Sequence, residues 1–426
     1  TFLVSLFVPF FMDSFSMSNA GFGSMFSLAT LVSALMLPYL GNHIDRLPLR
    51  RFSIMVATSL MLAAFTLSVA WNIGILFTGL FLLRLAGQGL SAHTAQTAMT
   101  KFFDRQRGKA ISIADLGYPL GEASLTLALT ILLPLINWRA TWGSISLFTG
   151  ALLIPFVLGV LRGDVEARTR SQRNGHQKIS QLWLAKMVMR DRRFFLHLPA
   201  VIMPSFWATS LFLYQYPIGS QLGWSATLIA SAFLALALSR IISSLAIGPL
   251  VDKLGAKVLF PYYMFPIAGG LFIAYLNPGT WSAFAYMFLV GITLGIGGNI
   301  TSSLWVDMYG KEHVGSVKGL FSSIIIVCAS ASPFILGYLI DMHIPVSHIL
   351  LWAVITICGA SALAFLAFRK EPFGKSHSST PVNSGNTITL VCSEPDMVPA
   401  AVPVICFQEE LIPTEIIISQ YSGRKT

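Results

Sequence analysis

The sequence predicts an all-α integral membrane protein, a polytopic helix bundle, on three observations. The chain has 426 residues, 54% hydrophobic and only 11% charged, where a soluble domain carries about 25% charged residues. The charges are clustered: residues 258–306 contain no Asp, Glu, Lys or Arg, enough for two crossings at roughly 20 apolar residues each. Further uncharged runs, at 52–70, 143–161, 319–340 and 342–368, each have the length of one spanning helix. These runs are apolar all round. A membrane β-barrel would show strands of about ten residues alternating apolar and polar, so helices are expected.

Taken in order, twelve crossings are expected near residues 1–13, 19–40, 52–70, 74–99, 110–135, 140–161, 194–218, 225–247, 258–276, 280–306, 314–340 and 346–368. The first run, residues 1–12, would reach only about 18 Å as a helix, and no basic segment precedes it as a signal peptide requires. The first helix is therefore expected to be truncated at its start.

Basic residues set the expected orientation. Arg46, Arg50 and Arg51 follow the second crossing, and Lys101, Arg105, Arg107 and Lys109 the fourth. Nine more lie between residues 162 and 193, Lys253 and Lys257 follow the eighth crossing, and Lys311 and Lys318 the tenth. The opposite side has Arg139. The positive-inside rule puts both termini and the central loop in the cytoplasm, in a cytoplasmic (inner) membrane. The net charge of +10 is thus spread over loops rather than gathered on one face, and no nucleic-acid partner is expected.

The organisation read from this pattern is a six-helix half over residues 1–161, a cytoplasmic loop at 162–193, a second half at 194–370 and a disordered tail at 371–426. Within the loop, residues 182–195 have an apolar and a basic side, which suits either a helix on the inner leaflet or a solvated linker. Pro372, Pro381, Pro395, Pro399, Pro403 and Pro413 keep the tail from spanning. Its apolar patches have no explanation from the sequence. Cys328 and Cys358 fall within apolar helices, Cys392 and Cys406 in the tail, and no metal-ligand spacing or disulfide framework is expected.

The most specific signal is an internal repeat. Gly41-Asn-His-Ile-Asp45-Arg46-Leu47 follows the second crossing, and Gly248-Pro-Leu-Val-Asp252-Lys253-Leu254-Gly255 follows the eighth, 207 residues later. Each copy has Gly, an acid four residues on, and then a base. Gly permits close helix approach at the turn, and the acid can accept from a helix N-terminus and from basic side chains. The repeat resembles motif A of the major facilitator superfamily at its two equivalent turns, although Pro48 stands where that motif has a Gly. The resemblance implies two pseudo-symmetric six-helix halves. It also implies a cytoplasmic latch formed by Asp45 with Arg46, and by repeat Asp252 with Lys253.

Arg84-Leu-Ala-Gly87-Gln-Gly89 is similar to motif B of that superfamily. The stretches at 101–110 and 304–315 resemble bacterial transporters of the oxalate/formate and monocarboxylate groups. Gly108, Gly117 and Gly121 are spaced like the start of the antiporter motif C, but Glu122 replaces its closing Gly-Pro, and they are read as helix-packing glycines. Gly291, Gly295, Gly297 and Gly298 are read the same way.

Ionisable residues inside a membrane are functional suspects by default, and four stand out: Arg84, Asp115, Glu122 and Arg240. Asp115 and Glu122 are two turns apart on one helix face. A carboxyl in a low-dielectric cavity can exchange protons near neutral pH, which makes Glu122 the candidate for proton coupling. An ion pair with Arg84 is the alternative, and Asp115 is read as a gate residue. Related carboxylate carriers place an anion-holding Arg near Arg240, one turn closer to the GxxxD turn. Trp207, Tyr214, Tyr216 and Trp305 line the cavity or serve as packing and interface anchors.

No Walker loop, metal cluster or catalytic triad spacing occurs, so neither an enzyme nor an ATP-driven pump is expected. No cofactor is expected either. The reading is a secondary active transporter for a small solute, an organic anion or metabolite, working as a monomer in the lipid bilayer by ion- or proton-coupled alternating access. The alternatives are a non-transporting sensor or receptor on a transporter fold, and a drug or siderophore exporter of the same superfamily.

Overall fold

A computed structural model of the chain describes residues 2–41, 47–102, 113–161, 188, 190, 192–310 and 314–368. The chain divides into Thr1–Lys375 and Ser376–Thr426, and every described residue lies in the first unit. Among the described residues there is no β-strand.

The helices run in the expected order. α1 is Phe2–Phe15, α2 Asn19–Gly41, α3 Leu49–Ser68 and α5 Gly117–Leu132. α4 runs as Ile73–Leu83, a π-helical segment Arg84–Leu90, and Ser91–Phe102. α6 is built the same way from Trp138–Phe148, a π segment Thr149–Leu153, and Ile154–Val160. α7 is Arg192–Leu213, extended by a short helix Gln215–Gln221, and α8 is Ala226–Leu254. α9 is Phe265–Leu276 and α10 Thr280–Tyr309. α11 is Val314–Ser330 continued by Ser332–Asp341, and α12 is Val346–Phe368.

Several expected crossings are broken rather than continuous. Residues 258–276 were expected as one helix, but Phe260 to Met264 form turns ahead of Pro266 at the start of α9. α7 breaks at Tyr214 and α11 at Ala331, each shortly before a proline, where the preceding residues are biased away from helical geometry. The π segment in α4 contains Gly87 and Gly89, whose weak helix propensity leaves the α ladder easy to disrupt.

Local chemistry explains the ends. Asn72, Asn137 and Ser225 cap α4, α6 and α8, each side chain accepting from the backbone N–H three residues on, which satisfies one of the orphan donors of a helix start. Gly255 closes α8 at φ 84° and Gly310 closes α10 at φ 83°, a left-handed stop that favours glycine. The exterior is apolar, as a lipid solvent requires: Ile131 is 70% and Leu147 74% exposed. Nine helices among the described residues are long and apolar enough to cross a membrane, and α1 and α9 supply shorter apolar helices.

Interior packing is aromatic. Phe7 and Phe11 of α1 meet Trp142 and Trp138 of α6, and Phe22 and Phe26 of α2 extend the row from Phe11. Phe194, His197, Phe260, Phe321 and Phe368 cluster where α7, α11 and α12 converge. The α8–α10 seam is set by missing side chains: a Cβ at Gly291 would land on Ser239 Oγ and the Leu236 carbonyl, and one at Gly295 on Ser243 Oγ and the Arg240 carbonyl. Only glycine lets these two backbones meet. The same packing role was expected of Gly117, Gly121, Gly248 and Gly298, but among the described residues nothing lies within 4 Å of a Cβ at any of them. Spacing alone does not identify which glycines a neighbour presses against.

Candidate functional site

The charged residues expected inside the bundle separate into two groups. Arg84 sits at the start of the π segment of α4 and is 8% exposed. Its Nε donates to Thr30 Oγ1 of α2 at 2.9 Å, NH1 reaches Gln88 Oε1, and the guanidinium lies 4.9 Å from the centre of the Phe26 ring. The π register brings Gln88 beside Arg84, and π segments recur at functional sites. Thr30 and Gln88 are partners the sequence reading missed. The available signal was that both are polar residues within apolar runs.

Glu122 and Arg240 form the second group. Arg240 NH1 stands 3.4 Å from Glu122 Oε2, joining α5 to α8, with the side chains 25% and 10% exposed respectively. The arginine beside Glu122 is therefore Arg240, where Arg84 had been the alternative ion-pair partner. The cause is tertiary: α5 and α8 pack against each other, and residues 118 positions apart cannot be paired from spacing. Tyr118, one turn before Glu122, places its ring 5.0 Å from the Arg240 guanidinium, so α5 holds that cation by a carboxylate and a π face. Glu122 Oε1 is buried with no hydrogen-bond partner among the described residues. Thr126 Oγ1, one further turn along, is also buried without one.

Arg240 is fixed from the other side by α10. The glycine at 295 seats α10 against the Arg240 carbonyl, and Asn299 Nδ2 donates to the Ser244 carbonyl at 3.1 Å. The backbone that carries Arg240, near the middle of α8, is thereby held by packing, and its side chain by the counter-ion. Asp115 ends a short helical stretch at 113–115, just before the turn at Leu116 that leads into α5, and is exposed. It stands apart from Glu122, within the influence of Lys318 and Arg240.

Of the repeated turns, Gly248 lies within α8, and Asp252 and Lys253 are exposed at its end. Gly41 ends α2, while Asp45 and Arg46 lie outside the described residues. So do Gly108, the 162–187 stretch of the central loop, the residues from 369 onward, and most of the segment read as a surface helix. Trp207 donates to Thr356 Oγ1 at 2.9 Å and Trp305 stacks on Phe321 at 4.8 Å, so both pack between helices.

Residues 1–324 and 200–408 match the family model described as Major Facilitator Superfamily. Among solved structures, the chain is similar to a bacterial homolog of the human lysosomal transporter Spinster, in an inward-facing and unoccupied conformation. That likeness has a TM-score of 0.62 at 14% identity, covering 86% of this chain and 92% of the other. No curated protein matches.

Proposed function

The chain belongs to the major facilitator superfamily, and from that premise we propose that it is a secondary active transporter, moving a small solute by alternating access and coupled to protons at Glu122. The observation that carries this reading is the part-buried Glu122–Arg240 pair between α5 and α8. On the proposed division into halves at 1–161 and 194–370, these helices belong to opposite halves, so the pair sits where relative motion would make and break contacts.

Protonation of Glu122 removes the counter-charge of Arg240. A guanidinium left in a low-dielectric site is costly without a partner, and a substrate carboxylate supplies one. The proton and an anionic solute then neutralise the site together, which is how binding of one favours binding of the other. Arg84, held by Thr30 and Gln88, is a second cation lining the pathway in this reading. Asp115 guards the end nearer the basic loops.

The orientation proposed is both termini cytoplasmic in an inner membrane, from the placement of basic loops. The exposed Asp252 and Lys253, with Asp45 and Arg46, would form the cytoplasmic latch. A small solute and the lipid bilayer are the only partners this mechanism requires.

The test is solute-elicited proton movement. Purified protein in vesicles with an entrapped pH dye is exposed to monocarboxylates, dicarboxylates, zwitterions and neutral sugars. Wild type is expected to move protons with one carboxylate class. Glu122→Gln is expected to exchange that solute without moving protons. Undiminished proton movement in the variant would overturn the assignment of coupling to Glu122.

A further inference from the structure

Asp341 is the single charged residue between positions 319 and 368, and it ends α11. A carboxylate at the C-terminus of its own helix faces the negative end of the macrodipole and is locally unfavourable. Its partners lie more than 300 residues away. Oδ1 accepts from the Asn19 backbone N–H at 3.0 Å and from Asn19 Nδ2 at 2.8 Å, and Oδ2 accepts from the Ala20 N–H at 2.7 Å. Ser18 Oγ takes the Gly21 N–H at 3.0 Å. The opening donors of α2 are thus shared between a local cap and a carboxylate from another helix, an arrangement favoured by both hydrogen bonding and the dipole.

Tyr214 completes the junction. It is buried at the break after α7, and its hydroxyl donates to the Asn19 carbonyl at 2.6 Å. The seam below is as tight as backbone allows. A Cβ at Gly23 would strike the Pro333 carbonyl, and one at Gly337 would strike the Asn19 carbonyl. Further along, the Phe334 N–H donates to Ser27 Oγ at 3.3 Å. The other end of α11 differs, because among the described residues nothing lies within 4 Å of a Cβ at Gly319.

We propose that Asp341 is the catch of a gate at the end of the bundle opposite the Gly248 turn, with the α2 N-terminus as its keeper and Tyr214 as a second fastening. The catch is closed in this structure and must open whenever that end admits solute. This rests on the alternating-access reading. It explains why an acid stands where its own helix disfavours it: the carboxylate is stabilised by α2 when the gate is shut and by water when it is open. A few hydrogen bonds on one charge suit a contact that must also release.

The experiment reads both ends of α11 without any substrate. In a background with Cys328, Cys358, Cys392 and Cys406 replaced, single cysteines are introduced by Ser27→Cys or Gly319→Cys. Their labelling by a hydrophilic maleimide is timed in purified protein. Adding Asp341→Ala, Asp341→Asn or Tyr214→Phe is expected to speed labelling at 27 by about tenfold and to slow it at 319 severalfold, because opening one end closes the other. Faster labelling at 27 with no change at 319 would show a static brace that frays, and would overturn the gate. Unchanged labelling at 27 in all three would overturn the catch. If Asp341→Ala does not fold, Asp341→Asn and Tyr214→Phe decide. Reciprocal labelling combined with intact proton movement in Glu122→Gln would remove the coupling proposal and leave the catch standing.

Discussion

Breaking the Glu122–Arg240 pair from either side should give unequal losses whose difference from additivity measures the pair. At 3.4 Å, the gross Coulomb attraction is about 5 kcal/mol at an effective dielectric of about 20. Arg240 is a quarter exposed, so solvent screening reduces the net coupling to about 1–3 kcal/mol. Arg240→Gln leaves a buried carboxylate whose Oε1 has no partner and should be the worse single change, by about 2–4 kcal/mol. Glu122→Gln leaves the guanidinium over the Tyr118 ring and should cost less. The double variant should recover part of the summed loss. Denaturant or thermal unfolding of the four proteins in one detergent gives the cycle. A coupling energy below about 0.3 kcal/mol would refute the claim that the pair ties α5 to α8, since that is the scatter expected of independent sites.

Three further outcomes follow from other parts of the molecule. Gly295→Val should push α10 off the backbone that carries Arg240, because the blocking atoms include the Arg240 carbonyl, and folded yield should fall sharply, whereas Gly319→Val, in open space, should leave it near wild type. Asn137→Ala removes the acceptor of the Ala140 N–H and should lower stability by about 1 kcal/mol, read as a shift in the unfolding midpoint; a neutral result would mean water replaces the cap. Cysteines introduced by Asn277→Cys and Leu254→Cys, both at exposed positions, should be labelled by an impermeant reagent from opposite sides of intact cells, 277 from outside only, and the reverse pattern would invert the proposed topology.

The sequence by itself determined the class of solvent around this protein. Uncharged runs of spanning length can be satisfied only in lipid, and lipid permits only internally hydrogen-bonded segments, so the helices and their order were legible before any contact was known. Stops such as Gly255 and caps such as Asn72 emerged only with the structure, although each is decided within about four residues. The family was legible in the repeated GxxxD turns, whose signal is likewise local.

What only the tertiary structure decided was who faces whom. Arg240 rather than Arg84 meets Glu122, since that depends on how α5 and α8 pack. Gly291 and Gly295 are pressed by a neighbour while Gly117 and Gly121 are not, because identical spacing says nothing about which face a second helix occupies. The sequence placed Asp341 in no role, and its partners are the N–H groups of a helix that begins 322 residues earlier. Helix formation is governed by near neighbours along the chain. Pairing across the bundle is governed by the dense packing of helices in three dimensions, where a single side chain more or less decides whether two backbones can touch.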